Sequence, residues 1–316
     1  HTTLRRLVAA AFTPKQMRRI DEMIQRNARD AVTNLLEKAQ SNGGQADFVA
    51  ERAELMPMNN INDMMDVPDG DREEAANQTA IAMSWSDPEM VGHTKDEVIT
   101  SLMAANGYCH ELAVRLAGER RENPGNDLIS SMAQAEIDGE RLTDHEIGAF
   151  FVLLTVAGND TTRQTTSHAL KALTDFPDQR VWLLQDFDNR IGTAVEEFIR
   201  FATPVMTFRR TAATDYELGT QTIRASEKLA MFYASGNWDD AVFDHPDRFD
   251  LSRDPNPHLG FGGGGQHYCL GTHVARAQLR AIFGELLRQL PDIGAGDPEY
   301  LAGNFIHGIR SMPCTF

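Results

Sequence analysis

Cysteine is scarce in this chain of 316 residues, which has only Cys109, Cys269 and Cys314. A disulfide framework needs several closely spaced pairs, so three scattered cysteines exclude one and fit a reducing compartment. The sequence also has no apolar run of about 18 residues and no signal-peptide pattern. We therefore expect a cytoplasmic protein without a membrane span.

Positive charge is in deficit as well, because the formal net charge is −16. Nucleic-acid binding needs concentrated Lys and Arg, so this balance argues against nucleic acid as a main partner. Residues 1–29 are the exception, with seven Lys or Arg against two acidic residues. Two interpretations of this basic segment stay open: a solvated helix face, or a docking patch for an acidic partner protein.

Signals for β-strands are few and late. Short alternating runs occur within residues 208–235, separated by Gly219 and polar turns. Strands this few and short exclude a doubly wound sheet. We predict one mainly α-helical domain over residues 1–316, with a minor β part.

Helical patterns cover most of the remaining chain. Residues 14–41 begin with a proline, which suits a first helical position, and residues 94–121 carry a second pattern. Thr143 and Glu146 stand at capping-box spacing. No proline occurs from there to about residue 175, so one very long helix is predicted.

The stretch HLGFGGGGQHYCLGTH, residues 258–273, admits three interpretations. Its glycines match the dinucleotide-binding pattern, but two prolines just before them argue against the strand that this pattern requires. Zinc is the second interpretation, with His258, His267, Cys269 and His273 as ligands. Structural zinc sites usually present two ligand pairs and stabilise domains that lack a core, so this match is weak.

A cysteine thiolate bound to haem iron is the third interpretation. Apolar residues recur at helical spacing after Cys269, so the sulfur is expected at a helix N-terminus, where free N–H groups stabilise a thiolate. Glycines leave the backbone bare and able to lie flat against a macrocycle. The apolar stripe consists of Leu279, Ile282, Phe283, Leu286, Leu287 and Leu290.

This stretch resembles the haem-binding loop of the cytochromes P-450, whose signature is Phe-Gly-x-Gly-x-(His/Arg)-x-Cys-x-Gly. Gly265 falls into register, and Phe261 stands one residue further from the cysteine than usual. The resemblance implies haem b (iron protoporphyrin IX) with Cys269 as the axial iron ligand. Within the loop it also implies cofactor-binding roles for His267, Phe261, Gly263 and Gly271.

The predicted long helix contains AGNDTT, residues 157–162, directly after an apolar run. This motif resembles the oxygen-activation motif of the family and implies that Asp160 and Thr161 deliver protons. On its own, the threonine could simply bond back to the preceding helical turn.

Two further groups of residues match the family. Glu197 and Arg200 have the E-x-x-R spacing, which on any helix could be a routine ion pair, and Arg248 lies in HPDRF. The resemblance implies that these three form a buried structural network. It also implies that the haem propionates are bound by His1, Arg5, Arg210 and His267. Trp238 stands where the family usually has an arginine.

The resemblance spans residues 1–316 and implies an N-terminally truncated P-450 fold that begins within the family's third major helix. It implies a haem-thiolate monooxygenase that inserts one oxygen atom from O₂ into a C–H bond. Electrons would come from NAD(P)H through a ferredoxin or flavodoxin with its reductase. A haem-binding protein without turnover (a sensor or a truncated relic) and a peroxide-driven peroxygenase stay open as alternatives.

The loop with its extra glycine and VAGNDTTR resemble a group of actinobacterial enzymes that oxidise terminal methyl groups of methyl-branched lipids and sterol side chains. We expect such an apolar substrate, with a terpenoid or polyketide as the alternative. A small residue at Ala157 would leave room for a slim chain end. The pocket residues implied by the motifs are Phe151, Leu154, Ala157, Val205, Met206 and Phe305.

Overall fold

The computed structural model describes residues 1–49, 55–85 and 87–316. The chain divides into two compact units. The first comprises His1–Arg163, Leu270–Ile293 and Pro313–Phe316, and the second comprises Gln164–Cys269 and Gly294–Met312. The predicted mainly helical class with small antiparallel sheets is confirmed. A single catalytic domain over residues 1–316 stays a prediction.

The first unit contains eight helices that lie wholly within its described residues, and a ninth, α8, continues into the second unit. Its elements are α1 Thr2–Ala11, α2 Pro14–Ser41, β1 Gln45–Asp47, α3 Leu55–Met65, α4 Asp69–Met83, α5 Pro88–Val91, α6 Lys95–Glu122, α7 Leu128–Gln134, β2 Glu136–Ile137, β3 Glu140–Arg141, α8 Asp144–Asp175, α12 Thr272–Gln289 and β11 Pro313–Thr315. Strand β1 pairs antiparallel with β11, with Gln45 opposite Thr315, and β2 pairs antiparallel with β3.

The second unit carries most of the β-strands. Its elements, besides the end of α8, are α9 Pro177–Gln185, α10 Phe187–Ala202, β4 Thr207–Thr211, β5 Tyr216–Leu218, β6 Gln221–Ile223, β7 Lys228–Phe232, α11 Tyr233–Asn237, β8 Gly294–Ala295, β9 Glu299–Tyr300 and β10 Ile309–Ser311. Strand β4 pairs antiparallel with β7, with Thr207 opposite Phe232. The pairs β5–β6 and β9–β10 are also antiparallel.

The predicted long helix is confirmed as α8, and its start is fixed by side chains. The Thr143 hydroxyl accepts a hydrogen bond from the Glu146 amide at 3.2 Å, and the Glu146 carboxylate accepts one from the Thr143 amide at 2.8 Å. This reciprocal pair satisfies amides that otherwise have no partner within the helix. The register of α8, and hence the face on which each later residue lies, is set from this first turn.

Helix α12 packs along α2 in the first unit. The six apolar residues of the predicted stripe are all buried. On α2, Ile24 and Leu35 are likewise at most 1 % exposed. Each such side chain contributes roughly 1.5–3 kcal/mol through burial. None of the described helices combines the length and apolarity that crossing a membrane requires.

An aromatic cluster forms the core of the second unit beside α10. The ring of Phe249 lies 5.0 Å from that of Phe201, 5.6 Å from that of Phe176 and 6.0 Å from that of Phe198, between centroids. Such pairs add to the free energy gained by burial. The cluster makes α10 a rigid support for the residues described next.

Candidate functional site

The cysteine loop is closed by one main-chain hydrogen bond. The Cys269 amide donates to the Phe261 carbonyl at 3.0 Å, and Cys269 itself is half-buried. Between them, Gly264 has a φ of +101°, which L side chains rarely adopt. A Cβ built on Gly264 or on Gly265 would meet nothing within 4 Å. The loop therefore presents an open stretch of bare backbone next to the sulfur, three residues before α12 begins.

Glu197 and Arg200 form a fully buried ion pair on α10, with both side chains 0 % exposed. The Arg200 Nε donates to one Glu197 oxygen at 2.8 Å and its Nη2 to the other at 2.7 Å. The three remaining N–H groups of the guanidinium go to main-chain carbonyls of Asn237, Pro246 and Arg248 at 2.8–3.1 Å. All five donors of Arg200 are therefore used.

The structure corrects the expected role of Arg248. Its side chain is exposed, and only its carbonyl takes part in the network. The second guanidinium at Glu197 belongs to Arg253, whose Nε lies 3.3 Å from a Glu197 oxygen and whose side chain is 10 % exposed. The physical reason is that the irregular segment folds back on itself, so the arginine five residues later faces α10.

Trp238, which replaces the usual arginine of the family, belongs to the surroundings of this ion pair. Its ring lies 5.0 Å from that of Phe201, and the Arg200 guanidinium carbon lies 5.7 Å from its centroid. Cation–π attraction of this kind favours the charged guanidinium.

The polar turn of α8 holds Asp160 and Thr161 in definite positions. Asp160 is buried and paired with Arg163 one turn further on, with 2.9 Å between Nε and the carboxylate. The Thr161 hydroxyl donates to the Ala157 carbonyl at 2.8 Å. This is the hydrogen bond to the preceding helical turn that the competing interpretation of the threonine predicts. It does not exclude a proton relay, because a hydroxyl that donates can still accept.

The face of α8 that carries Thr161 differs from the one expected. Leu153, Ala157 and Thr161 are spaced four residues apart and share one face. Leu153 is 59 % exposed, although the sequence interpretation missed it, and Ala157 is also exposed. The expected pocket role of Phe151 is corrected. Phe151 lies six residues before Ala157 and therefore on another side of the helix. Its side chain is 0 % exposed and belongs to the core. Leu154 is half-buried.

Val205, Met206 and Phe305 are brought together in the second unit. Val205 forms a β-bridge with Ile306, and the Met206 amide donates to the Phe305 carbonyl at 2.8 Å. Phe208 joins them, with its ring 5.5 Å from that of Phe305. The sequence analysis missed Phe208, although an aromatic residue followed by two arginines was a usable signal.

Arg210 lies on the same strand, β4. Its guanidinium carbon is 5.8 Å from the centroid of the Phe208 ring, and its side chain is exposed. A cation therefore stands beside the apolar group of the second unit. His267 is exposed as well, in the 3-10 turn Gly265–His267.

Two histidines anchor the segment that carries Phe305. The His307 Nδ1 donates to the Ala202 carbonyl at 2.7 Å, and His168 Nε2, on α8, donates to the His307 carbonyl at 2.9 Å. The two rings lie 4.0 Å apart. Burial lowers the pKa of His168 to about 4, with a further contribution from His307.

The basic segment at residues 1–29 is largely engaged within the first unit. Arg26 pairs with Asp63 at 2.8 Å and Arg29 with Glu285 at 3.7 Å. Lys15 and Arg18 on α2 are exposed. His1 is exposed at the start of α1, and Arg5 is half-buried one turn later.

The other two interpretations of the glycine stretch find no support. Residues 251–259, which precede the dinucleotide-like glycines, form turns and irregular backbone. His258 bonds to Glu196, and His273 lies 3.6 Å from Asp21. In the part of the chain that the structure describes, no group of three His, Cys, Asp or Glu could hold a metal ion.

A family model described as Cytochrome P450 matches residues 1–290. The chain belongs to the cytochrome P-450 family. It is 42 % identical over 317 residues to the methyl-branched lipid omega-hydroxylase of Mycobacterium tuberculosis, covering 100 % of this chain and 72 % of that protein. It is 37 % identical to the steroid C26-monooxygenase of Rhodococcus jostii, covering 100 % of this chain and 64 % of that protein.

The P-450 fold is confirmed by solved structures. The Mycobacterium marinum cytochrome P-450 CYP268A2 in complex with pseudoionone is 60 % identical, with a TM-score of 0.91 and coverage of 100 % of this chain and 75 % of that one. CYP109E1 of Bacillus megaterium in complex with testosterone matches at 27 % identity and a TM-score of 0.89, covering 100 % of this chain and 83 % of that one.

As a cytochrome P-450, the protein is an oxygen-incorporating oxidoreductase that uses haem b and electrons from NAD(P)H delivered through partner proteins. The residues present fit this cofactor. The cysteine loop offers one sulfur close in sequence to Gly264 and Gly265, where an added Cβ would meet nothing within 4 Å. A planar macrocycle that needs one axial protein ligand requires just such a surface.

Proposed function

We propose that this P-450 hydroxylates a terminal methyl group of a methyl-branched lipid or of a sterol side chain, with Cys269 as the ligand of the haem iron. The observation that carries the proposal is the closed glycine loop, because it joins a half-buried sulfur to a bare backbone surface. The names of the two curated relatives supply the substrate class.

Cys269 would hold the iron, and the glycines would leave room for the ring. When bound, the haem supplies the oxidation of the C–H bond, and electron donation from a thiolate ligand favours cleavage of O₂. The family motifs assign the propionates to His1, Arg5, Arg210 and His267. Arg5 and Arg210 suit this role because a carboxylate is favoured next to positive charge, and His267 can donate a hydrogen bond.

Asp160 and Thr161 would move the protons that this chemistry consumes. While its own proton goes to the Ala157 carbonyl, the Thr161 oxygen can still accept a hydrogen bond from a water, and so it would hold in place the water through which a proton is delivered. The ion pair with Arg163 fixes the Asp160 carboxylate. An acid followed by threonine favours a monooxygenase over a peroxide-driven peroxygenase, which would need no such relay.

The apolar character of the implied pocket supports a lipid or sterol side chain. Leu153, Leu154 and Ala157 on α8, and Val205, Met206 and Phe305 in the second unit, offer hydrocarbon surface without Lys or Arg. None of these six side chains could therefore pair with a carboxylate on the substrate. An apolar substrate gains about 25 cal/mol for each Å² that such residues remove from water.

A ferredoxin or flavodoxin, with its reductase, is our proposal for the electron donor. Both carriers are typically acidic, and the exposed Lys15 and Arg18 lie on the basic segment. Attraction between opposite charges speeds encounter and weakens with salt.

The ligand is tested by the absorbance of the reduced protein under carbon monoxide. We expect the red-shifted Soret band of a thiolate complex, and we expect Cys269→Ser to lose it. Cys109→Ser is the matched control. This thiol is buried beside Thr79, and it belongs to none of the cofactor motifs. A histidine-type band in fresh wild-type protein would refute the assignment.

The substrate class is tested with a panel scored by the low-to-high-spin shift and by product mass. Methyl-branched fatty acids and cholestenone should bind and gain one oxygen atom at a terminal methyl. A macrolide serves as the polar comparison. Turnover of the macrolide without response to either lipid would overturn the proposed substrate class.

A further inference from the structure

His258 lies at the base of the cysteine loop and uses both ring nitrogens. Its Nε2 lies 3.0 Å from a carboxylate oxygen of Glu196 on α10, and its Nδ1 lies 3.1 Å from the amide nitrogen of Gly260. The side chain is only 4 % exposed. It was considered above as a zinc ligand, and the family motifs assign it no role.

The partners of His258 settle which nitrogen carries the proton. A main-chain N–H can only donate, so Nδ1 must accept from Gly260 and carries no proton. A carboxylate can only accept, so Nε2 carries the proton and donates to Glu196. The imidazole is thereby a rigid two-ended link from α10 to the loop backbone.

The backbone at Gly260 lies directly against α10. A Cβ at this position would be 2.3 Å from Cγ2 of Ile199, so no larger residue fits without displacing the loop. The Leu259 amide donates to Oδ1 of Asn237 at 2.6 Å. The Asn256 side-chain amide donates to Glu197 at 2.9 Å. The loop thus starts from a firmly held base.

The firmly held base of the loop, residues 256–260, ends one residue before Phe261. The Phe261 carbonyl accepts the hydrogen bond from the Cys269 amide. Beyond it, residues 263–268 are exposed and include glycines with positive φ. Three of these six residues are glycines and offer no side chain that could fix the backbone. The position of the Phe261 carbonyl, and through it that of Cys269, therefore depends on the anchoring at Gly260.

We propose that His258 is a positioning residue for the iron ligand: by linking Glu196 to the Gly260 amide it fixes the Phe261 carbonyl that holds Cys269 in place. The inference rests on the proposed role of Cys269. It assigns His258 no contact with haem or substrate. Loss of the link should let the sulfur leave the iron more readily, without a change in which substrates bind.

The test uses three substitutions in the haem-loaded protein. His258→Asn keeps an acceptor near the place of Nδ1, His258→Gln keeps a donor near the place of Nε2, and His258→Leu keeps neither. The readouts are the half-life of the thiolate-type carbon monoxide band and the rate of haem transfer to an excess of apomyoglobin. We expect His258→Leu to shorten the half-life at least tenfold, with partial rescue by His258→Asn.

A matched control separates positioning from general stability. Leu183→Ala removes a fully buried side chain of α9 in the same unit and should lower the urea midpoint without shortening the half-life of the band. If His258→Leu yields no protein, Glu196→Gln and His258→Asn carry the test.

Three results would overturn the proposal. These are wild-type half-lives in all His258 variants, equal losses in all of them without rescue, or an equal loss in Leu183→Ala. Absence of the thiolate band from wild-type protein would instead refute the role of Cys269.

Discussion

Acidification should destabilise the second unit through His168. This ring donates to the His307 carbonyl and faces the rings of His307 and Tyr300, at 4.0 and 6.1 Å. Its pKa in the folded protein is lowered to about 4 because burial disfavours the charged imidazolium. The unfolded chain binds the proton near pH 6.5. The stabilisation is therefore present above pH 6.5 and is lost as the pH falls towards about 4.

The size of the effect follows from the two pKa values. The whole shift corresponds to about 3 kcal/mol, since each pKa unit is worth about 1.4 kcal/mol. Between pH 7.5 and pH 5.0 the unfolded state gains most of its proton while the folded state gains little. The linkage relation then gives a loss of about 2 kcal/mol over that interval.

The assay is urea unfolding of the haem-loaded protein at both pH values, for wild type, His168→Gln and His168→Phe. His168→Gln keeps a donor for the His307 carbonyl and cannot titrate, and His168→Phe keeps the ring. Titration of all other groups is common to the three proteins and cancels in the comparison. Both variants should lose about 2 kcal/mol less than wild type between the two pH values. Equal losses in all three proteins would refute the reasoning.

Two further predictions concern the ion pairs. Arg163→Gln should leave the thiolate band intact but lower the product formed per NAD(P)H several-fold and raise the peroxide released. The reason is that the Asp160 carboxylate is no longer held by its ion pair. An unchanged product yield per NAD(P)H would contradict this. Arg200→Met should lower the free energy of unfolding in urea by about 3–5 kcal/mol, because Glu197 loses the bidentate partner of a fully buried ion pair, although Arg253 and Asn256 stay beside it. A loss below about 1 kcal/mol would contradict this prediction.

The helices that lead to the site could be predicted because their signals are local. The capping pair at Thr143 and the absence of proline define α8, and the apolar stripe defines α12. The same spacing rule, applied more strictly, would have selected Leu153 instead of Phe151 for the face of Ala157. The error lay in the angular position assigned to Phe151 around the helix axis, and the residue spacing in the sequence contained the information to avoid it.

Other features depend on contacts between distant residues, and no local pattern encodes them. Arg248 and Arg253 are both arginines in one irregular segment, and only the folded path of that segment decides which reaches Glu197. The pairing of β1 with β11 was likewise not predicted, because strands this short acquire stability only from each other. The partners of His168 and His258 also came from the structure alone.

The discontinuous first unit has a consequence for biosynthesis. Strand β1 and helix α2 are made early, whereas their partners β11 and α12 leave the ribosome only after residues 164–269. Until then, the part of α2 that packs against α12 lacks this cover, and β1 lacks its partner strand β11. Such exposed surfaces favour association between nascent chains. Slower translation beyond residue 269 would prolong the time during which these surfaces are exposed. A chaperone that binds apolar helices would reduce association between nascent chains during that time.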